Sequence, residues 1–192
     1  NHLFVNAKAL VFAGTLFDGP EADRWREAGL AILAREVPEQ ILDDGGHFEL
    51  SPMYHALILE DLLDLLNLSA AFPGVLPNRQ VAEWQEAVGR MRGWLAAMTH
   101  PDGGIAFFND AAFGIAPAPA AIEAFAERLG LGGVPAPGEG ITTLPDSGYV
   151  RVQGPAFVAI LDVARIGPDY LPGHAHADTL SFELSLDGRR VI

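Results

Sequence analysis

The sequence predicts an α+β chain, helices first and antiparallel strands last. Three observations predict it. Apolar residues recur at helical spacing from Asn1 to about Gly130. A stretch rich in glycine and proline then interrupts that pattern. Beyond it, side chains alternate with the two-residue period of strands. The expected organisation is a helical part over 1–130, a linker over 131–147 and the opening of a β domain over 148–192.

The first helix carries Leu3, Ala7, Leu10, Val11 and Gly14, and Asp18-Gly-Pro breaks it. Pro20 suits a first helical turn, since its missing N–H would have had no partner there. The second helix is expected from Glu21 to Val37, with Pro38 as its stop. Ser51 and Pro52 read as N-cap and first residue of a third helix through Leu57, Ile58, Leu62, Leu65 and Leu66. Asn78 is expected to cap a fourth through Val81, Trp84, Val88, Met91 and Leu95. A weaker fifth runs from Pro119 to Leu129. Helices of this length joined by polar loops suggest an α/α bundle or toroid.

Tyr149 to Val152 begins β-type sequence, and Ala156 to Val163 is a compact apolar strand. Thr179 to Leu186 alternates Leu180, Phe182, Leu184 and Leu186 against Thr179, Ser181, Glu183 and Ser185. With the turn Asp187-Gly188 and the segment Arg189 to Ile192, it predicts a hairpin.

Composition narrows the function. Of 192 residues, 49% are hydrophobic, enough for a buried core. Acidic residues outnumber basic ones 25 to 12, a formal charge of -13 that repels nucleic acid and anionic membrane surfaces. With no cysteine, disulfides and thiolate metal sites are excluded. No apolar run reaches the roughly 18 residues that span a bilayer. The chain opens on Asn-His-Leu-Phe and stops at Arg-Arg-Val-Ile inside an expected strand, so it reads as an internal piece of a longer protein.

The run Gly-His-Ala-His-Ala-Asp from Gly173 carries the densest chemistry. At the start of a strand, His174, His176 and Asp178 would share one face and converge, suiting proton handling or metal coordination. A polar strand end with solvated histidines is the structural alternative. Asn1-His2 opens the first helix, and Tyr54 lies in the first turn of the third, where the positive helix end favours an anionic group. Taken singly, Asn1 reads as a cap, Tyr54 as an amphipathic anchor and His55 as a surface residue. Trp25, Trp84 and Trp94 read as core rather than sugar platforms. His100, Asp102, Asn109 and Asp110 read as turn formers.

In order, the chain carries Asn1-His2, the run Asp44 to His55 (Asp-Gly-Gly-His-Phe-Glu-Leu-Ser-Pro-Met-Tyr-His), Pro101-Asp-Gly-Gly, Asp146-Ser-Gly-Tyr, and Gly173 to Asp178 followed by Leu180-Ser-Phe-Glu-Leu. Together these resemble the heparinase II/III-like polysaccharide lyases, a group that includes some alginate lyases. The resemblance implies an α/α toroid (an incomplete helical barrel) followed by the start of an antiparallel β-sandwich. It also implies β-elimination of uronic-acid polysaccharides in the cleft between the two. By position it assigns Asn1, His2, Tyr54 and His174 to catalysis, with Tyr54 as the proton-transfer residue. Glu49 and His55 would contact substrate, and Asp178 would support the loop. His176 would match a ligand of a structural zinc ion, Zn2+, whose remaining ligands lie beyond Ile192. A periplasmic or secreted location would follow.

The chemistry suits these residue types. The C5 proton of a uronate becomes acidic when donors such as an Asn1 amide or an imidazole neutralise the neighbouring carboxylate. A phenol can then exchange protons with C5 and the departing O4, with a histidine as the alternative base. Because the ordinary phenol value is about 10, nearby cations or amide donors are expected to lower that of Tyr54, with His174 or arginine side chains as candidates. Two other classes compete: a metal-dependent hydrolase built on the His-x-His pair, and a non-catalytic glycan-binding module.

Overall fold

The computed structural model describes residues 1–168, 170 and 173–192. Five helices come first: α1 (His2–Leu16), α2 (Pro20–Gln40), α3 (Pro52–Ala71), α4 (Asn78–Ala97) and α5 (Pro119–Arg128). Five strands follow: β1 (Gly140–Leu144), β2 (Tyr149–Gly154), β3 (Phe157–Asp162), β4 (Phe182–Leu186) and β5 (Arg189–Arg190). They form one antiparallel meander in chain order. The result is an α+β fold, a helical toroid segment leading into a sheet. Among the described residues, no helix is long and apolar enough to cross a membrane.

The helices pack as two hairpins, α1 on α2 and α3 on α4, with α1 and α5 also laid on α3. Their shared core runs from Phe4, Ala7 and Val11 through Leu33 to Leu59, Leu62, Leu63, Trp84, Val88 and Met91, all buried. Small residues let the first hairpin close tightly. A Cβ on Gly29 would lie 2.6 Å from the Ala7 carbonyl oxygen. A second core joins the layers, taking Trp94, Ala97 and Met98 from the end of α4 and Leu144, Tyr149, Val158 and Ile160 from the sheet.

Four expectations change. Pro38 does not end α2, which continues to Gln40. The proline removes one backbone donor, but the last turn is held by burial of Val37 and Gln40 and by the Ile41 N–H on the Val37 carbonyl, 3.0 Å away. Pro77, not Asn78, occupies the N-cap position of α4. Strand β1 lies inside the expected linker, where Ile141-Thr-Thr-Leu pairs with β2 despite the glycines and prolines before it. And β4 begins at Phe182, because Leu180 takes a left-handed φ of 73° that breaks the strand. The segment from His174 to Asp178 is therefore irregular, and its side chains do not share a strand face.

The alternation in β4 is real, but its faces are reversed. Glu183 and Ser185 are buried against the helical layer, while Phe182 and Leu186 are exposed. Buried Glu183 accepts the Phe107 N–H at 2.6 Å and Arg190 Nη1 at 3.1 Å, with His100 Nε2 2.9 Å away. Ser185 Oγ meets His100 Nδ1 at 2.7 Å. Apolar side chains left outward are what one sheet of a sandwich presents to its partner sheet.

Candidate active site

The loop between α2 and α3 and the two loops facing it build the site. Leu50 has φ 61° and Asn109 φ 55°, both left-handed. Such conformations persist only where surrounding bonds fix them. Here the Leu50 carbonyl accepts the Tyr149 hydroxyl at 2.6 Å and Asn109 Nδ2 at 3.0 Å. Asn109 in turn holds the segment before β4, since its N–H donates to Asp178 and its Oδ1 accepts the His176 N–H at 3.0 Å. Asp178 thus pins the loop, and His176 contributes its backbone while its side chain is exposed.

That scaffold brings together groups that are far apart in sequence. Asn1 precedes α1 but does not cap it with its side chain. Its Nδ2 instead donates to Glu49 Oε2 at 2.8 Å and lies 3.1 Å from His174 Nε2. The other imidazole nitrogen of His174, Nδ1, is 2.5 Å from Asp110 Oδ2. Tyr54, in the first turn of α3, packs its ring on that imidazole with centroids 4.1 Å apart. Asn1, Glu49 and His174 line a cavity of about 670 Å3 together with Phe48, Arg35, Glu39 and the exposed His2.

His55 faces the other way. It is fully buried, stacks on Trp94 at 4.3 Å and makes a 3.0 Å bond to the Met91 carbonyl. It has no surface to offer a sugar, so its expected substrate contact gives way to packing. Burial drives its imidazole down to about 3. His47, also fully buried, is lowered for the same reason; its Nε2 bonds Gln40 at 3.1 Å and its Nδ1 lies 3.8 Å from Glu49.

The electrostatics at Tyr54 run against expectation. Burial raises the phenol first, and the carboxylates of Asp110 and Glu49 raise it further. Among the described residues no cation offsets them, so in the free site Tyr54 is a phenol ready to give a proton rather than a standing phenolate. Arg92 and Arg151 are committed elsewhere, to Glu123 and to the Ala97 and Thr99 carbonyls. Among the described residues, no group of three His, Cys, Asp or Glu side chains stands where it could hold an ion. The expected zinc site draws its other ligands from beyond Ile192, and the His176 side chain that would join them is exposed.

Asn109 and Asp110, turn formers by local pattern, instead hold the His176 backbone and the His174 ring. A signal was there: the pair sits between Ile105-Ala-Phe-Phe and Ala111-Ala-Phe, where solvation alone does not account for an acid.

Residues 1–121 match the family described as Heparinase II/III N-terminus, and residues 136–192 match Heparinase II/III-like, C-terminal. A heparin-sulfate lyase from Bacteroides stercoris is 32% identical over 112 residues, covering 58% of this chain and 16% of that protein. A heparin-sulfate lyase from Bacteroides thetaiotaomicron is 31% identical over 118 residues, 57% of this chain and 16% of that one. Among solved structures, a heparan sulfate lyase HepC mutant from Pedobacter heparinus superposes with a TM-score of 0.75 at 25% identity, over 99% of this chain and 32% of that one. The Heparinase III-BT4657 gene product shares the fold with a TM-score of 0.77 at 23% identity, over 99% and 32%. The chain thus spans 16% of the length of these curated relatives. Both halves match in order, the first over more than half of the residues, and the chain belongs to the heparinase II/III family.

Proposed function

We propose that the protein containing this chain is a polysaccharide lyase that cleaves a uronic-acid polymer by β-elimination. One observation carries the reading: the Asn1 amide, the His174 imidazole and the Tyr54 phenol, drawn from distant parts of the chain, meet beside one cavity. Relatives named heparin-sulfate lyase support the reaction class.

In this reading the uronate carboxylate takes the Asn1 N–H that bonds His174 Nε2 in the free site, which frees that nitrogen's lone pair, with His2, which also lines the cavity, as a further donor. Neutralising that carboxylate stabilises the enolate-like state formed when C5 loses its proton. The C5–H bond breaks toward a base, the electron pair forms the C4–C5 double bond, and the C4–O bond breaks. Tyr54, held as a phenol by burial and two nearby carboxylates, gives its proton to the departing oxygen. The proton taken from C5 goes to the His174 imidazole. A polymeric substrate does not cross a membrane, so we place this work in the periplasm or outside the cell.

Elimination leaves a conjugated unsaturated uronate that absorbs in the ultraviolet, whereas hydrolysis does not and a binding module releases nothing. With the full-length protein and a panel of uronic-acid polymers, we expect absorbance to rise for at least one. Tyr54→Phe should lower kcat by about a thousandfold or more with the melting temperature unchanged. Wild-type turnover in that variant would remove Tyr54 from the mechanism.

A further inference from the structure

We infer that Asp110 is a positioning residue which fixes His174 in its neutral Nδ1–H tautomer, so that Nε2 faces the cleft as a proton acceptor. The inference deepens the lyase reading and rests on it for its kinetic arm alone.

The polarity of four linked groups leads there. Glu49 is a buried carboxylate with acceptors only, and Asn1 Nδ2 lies 2.8 Å from its Oε2. The amide must therefore turn its NH2, not its oxygen, toward Glu49. That same Nδ2 lies 3.1 Å from His174 Nε2. An amide nitrogen only donates, so Nε2 must accept with its lone pair and carries no hydrogen. The proton of the neutral ring then sits on Nδ1, where Asp110 Oδ2 waits at 2.5 Å to accept it. The chain reads carboxylate, amide NH2, imidazole, carboxylate, and each hydrogen in it has one donor and one acceptor. A doubly protonated ring would set Nε2–H against the amide hydrogens. The opposite tautomer would also leave Nδ1 and Asp110 as two acceptors face to face.

The placement of Asp110 is built. Its neighbour Asn109 is tied to the His174 segment through Asp178 and the His176 N–H, and to the α3 side through the Leu50 carbonyl. Those ties keep the carboxylate against Nδ1. They also make the loop after α4 part of the working site, although it contributes no group that touches substrate.

The test uses full-length protein labelled with 15N-histidine, the His174 signal being assigned by its loss in His174→Gln. In the wild type, two-bond nitrogen–proton correlations should show the Nδ1–H tautomer at neutral pH. An Nε2–H ring or an imidazolium there overturns the proposal without any variant. In Asp110→Ala only the Asn1 amide is left to hold the tautomer, so the Nε2–H form should gain population, and kcat on the best uronate polymer should fall about a hundredfold while KM moves less than about threefold. Unchanged kcat, or lost activity with the Nδ1–H signature intact, overturns it too. Should the wild type make no unsaturated product from any polymer, the lyase reading fails, while the tautomer still decides the role of Asp110.

Discussion

At the scale of single residues, burial decides which of the histidines can reach the cavity. His55 and His174 both lie near Tyr54, yet one is sealed behind Trp94 and the other borders the cavity. The sealed one has a cost in acid. The unfolded chain binds a proton at His55 below about 6.5, whereas the native ring stays neutral until about 3. Unfolding therefore takes up a proton across that window, so stability falls as pH drops through it, by about 1.4 kcal/mol per pH unit for this group. Glutamine can keep the bond to the Met91 carbonyl without titrating. We expect denaturant midpoints measured from pH 7 to 4.5 to fall less steeply in His55→Gln than in the wild type, with buried His47 accounting for part of the remaining slope. Equal slopes would show that His55 gains its proton in the folded state.

At the scale of elements, helices were legible because apolar spacing alone sets them. Ser51-Pro52 and Pro20 marked starts that the structure keeps. Pro38 misled because tertiary packing outweighs one lost backbone bond. In β4 the period of two was legible but the direction was not. A rule that sends leucine inward fails where a buried Glu183 and Ser185 answer a buried His100 from another layer. The same limit hid Asp110, since a local reading of Asn-Asp finds a turn and cannot see a histidine 64 positions away. Helix contacts also reverse a propensity argument. Alanine normally favours helix over glycine by about 1 kcal/mol. At Gly29 its methyl would press within 2.6 Å of the Ala7 carbonyl oxygen, an overpacking that costs about 1–3 kcal/mol. Gly29→Ala should be destabilised in urea titration, and a stabilised variant would mean the α1–α2 hairpin is looser than described.

At the scale of the whole molecule, polar clamps fasten sheet to helices. Asp44 Oδ2 accepts the Ser147 N–H at 2.7 Å and its hydroxyl at 2.8 Å, and Trp94 Nε1 donates to the same Ser147 Oγ at 2.8 Å. The second clamp is Glu183 with Phe107, His100 and Arg190. Glutamine at 183 would set an amide NH2 against one of those donors, at a cost of about 1–3 kcal/mol. We expect Glu183→Gln to uncouple the layers. Far-UV circular dichroism and tryptophan fluorescence should share one melting midpoint in the wild type and separate in the variant. Coincident midpoints in the variant would assign the coupling to the shared apolar core instead.

The left-handed Leu50 and Asn109, locked together through Tyr149, carry one more consequence. A ribosome releases the chain from its amino end, so amide and phenol emerge early and the imidazole last. Until the late strands dock and fasten both strained loops, the nascent protein holds scattered reagents with nothing to react through. In the proposed lyase, the reacting groups are therefore assembled only once both loops are fastened.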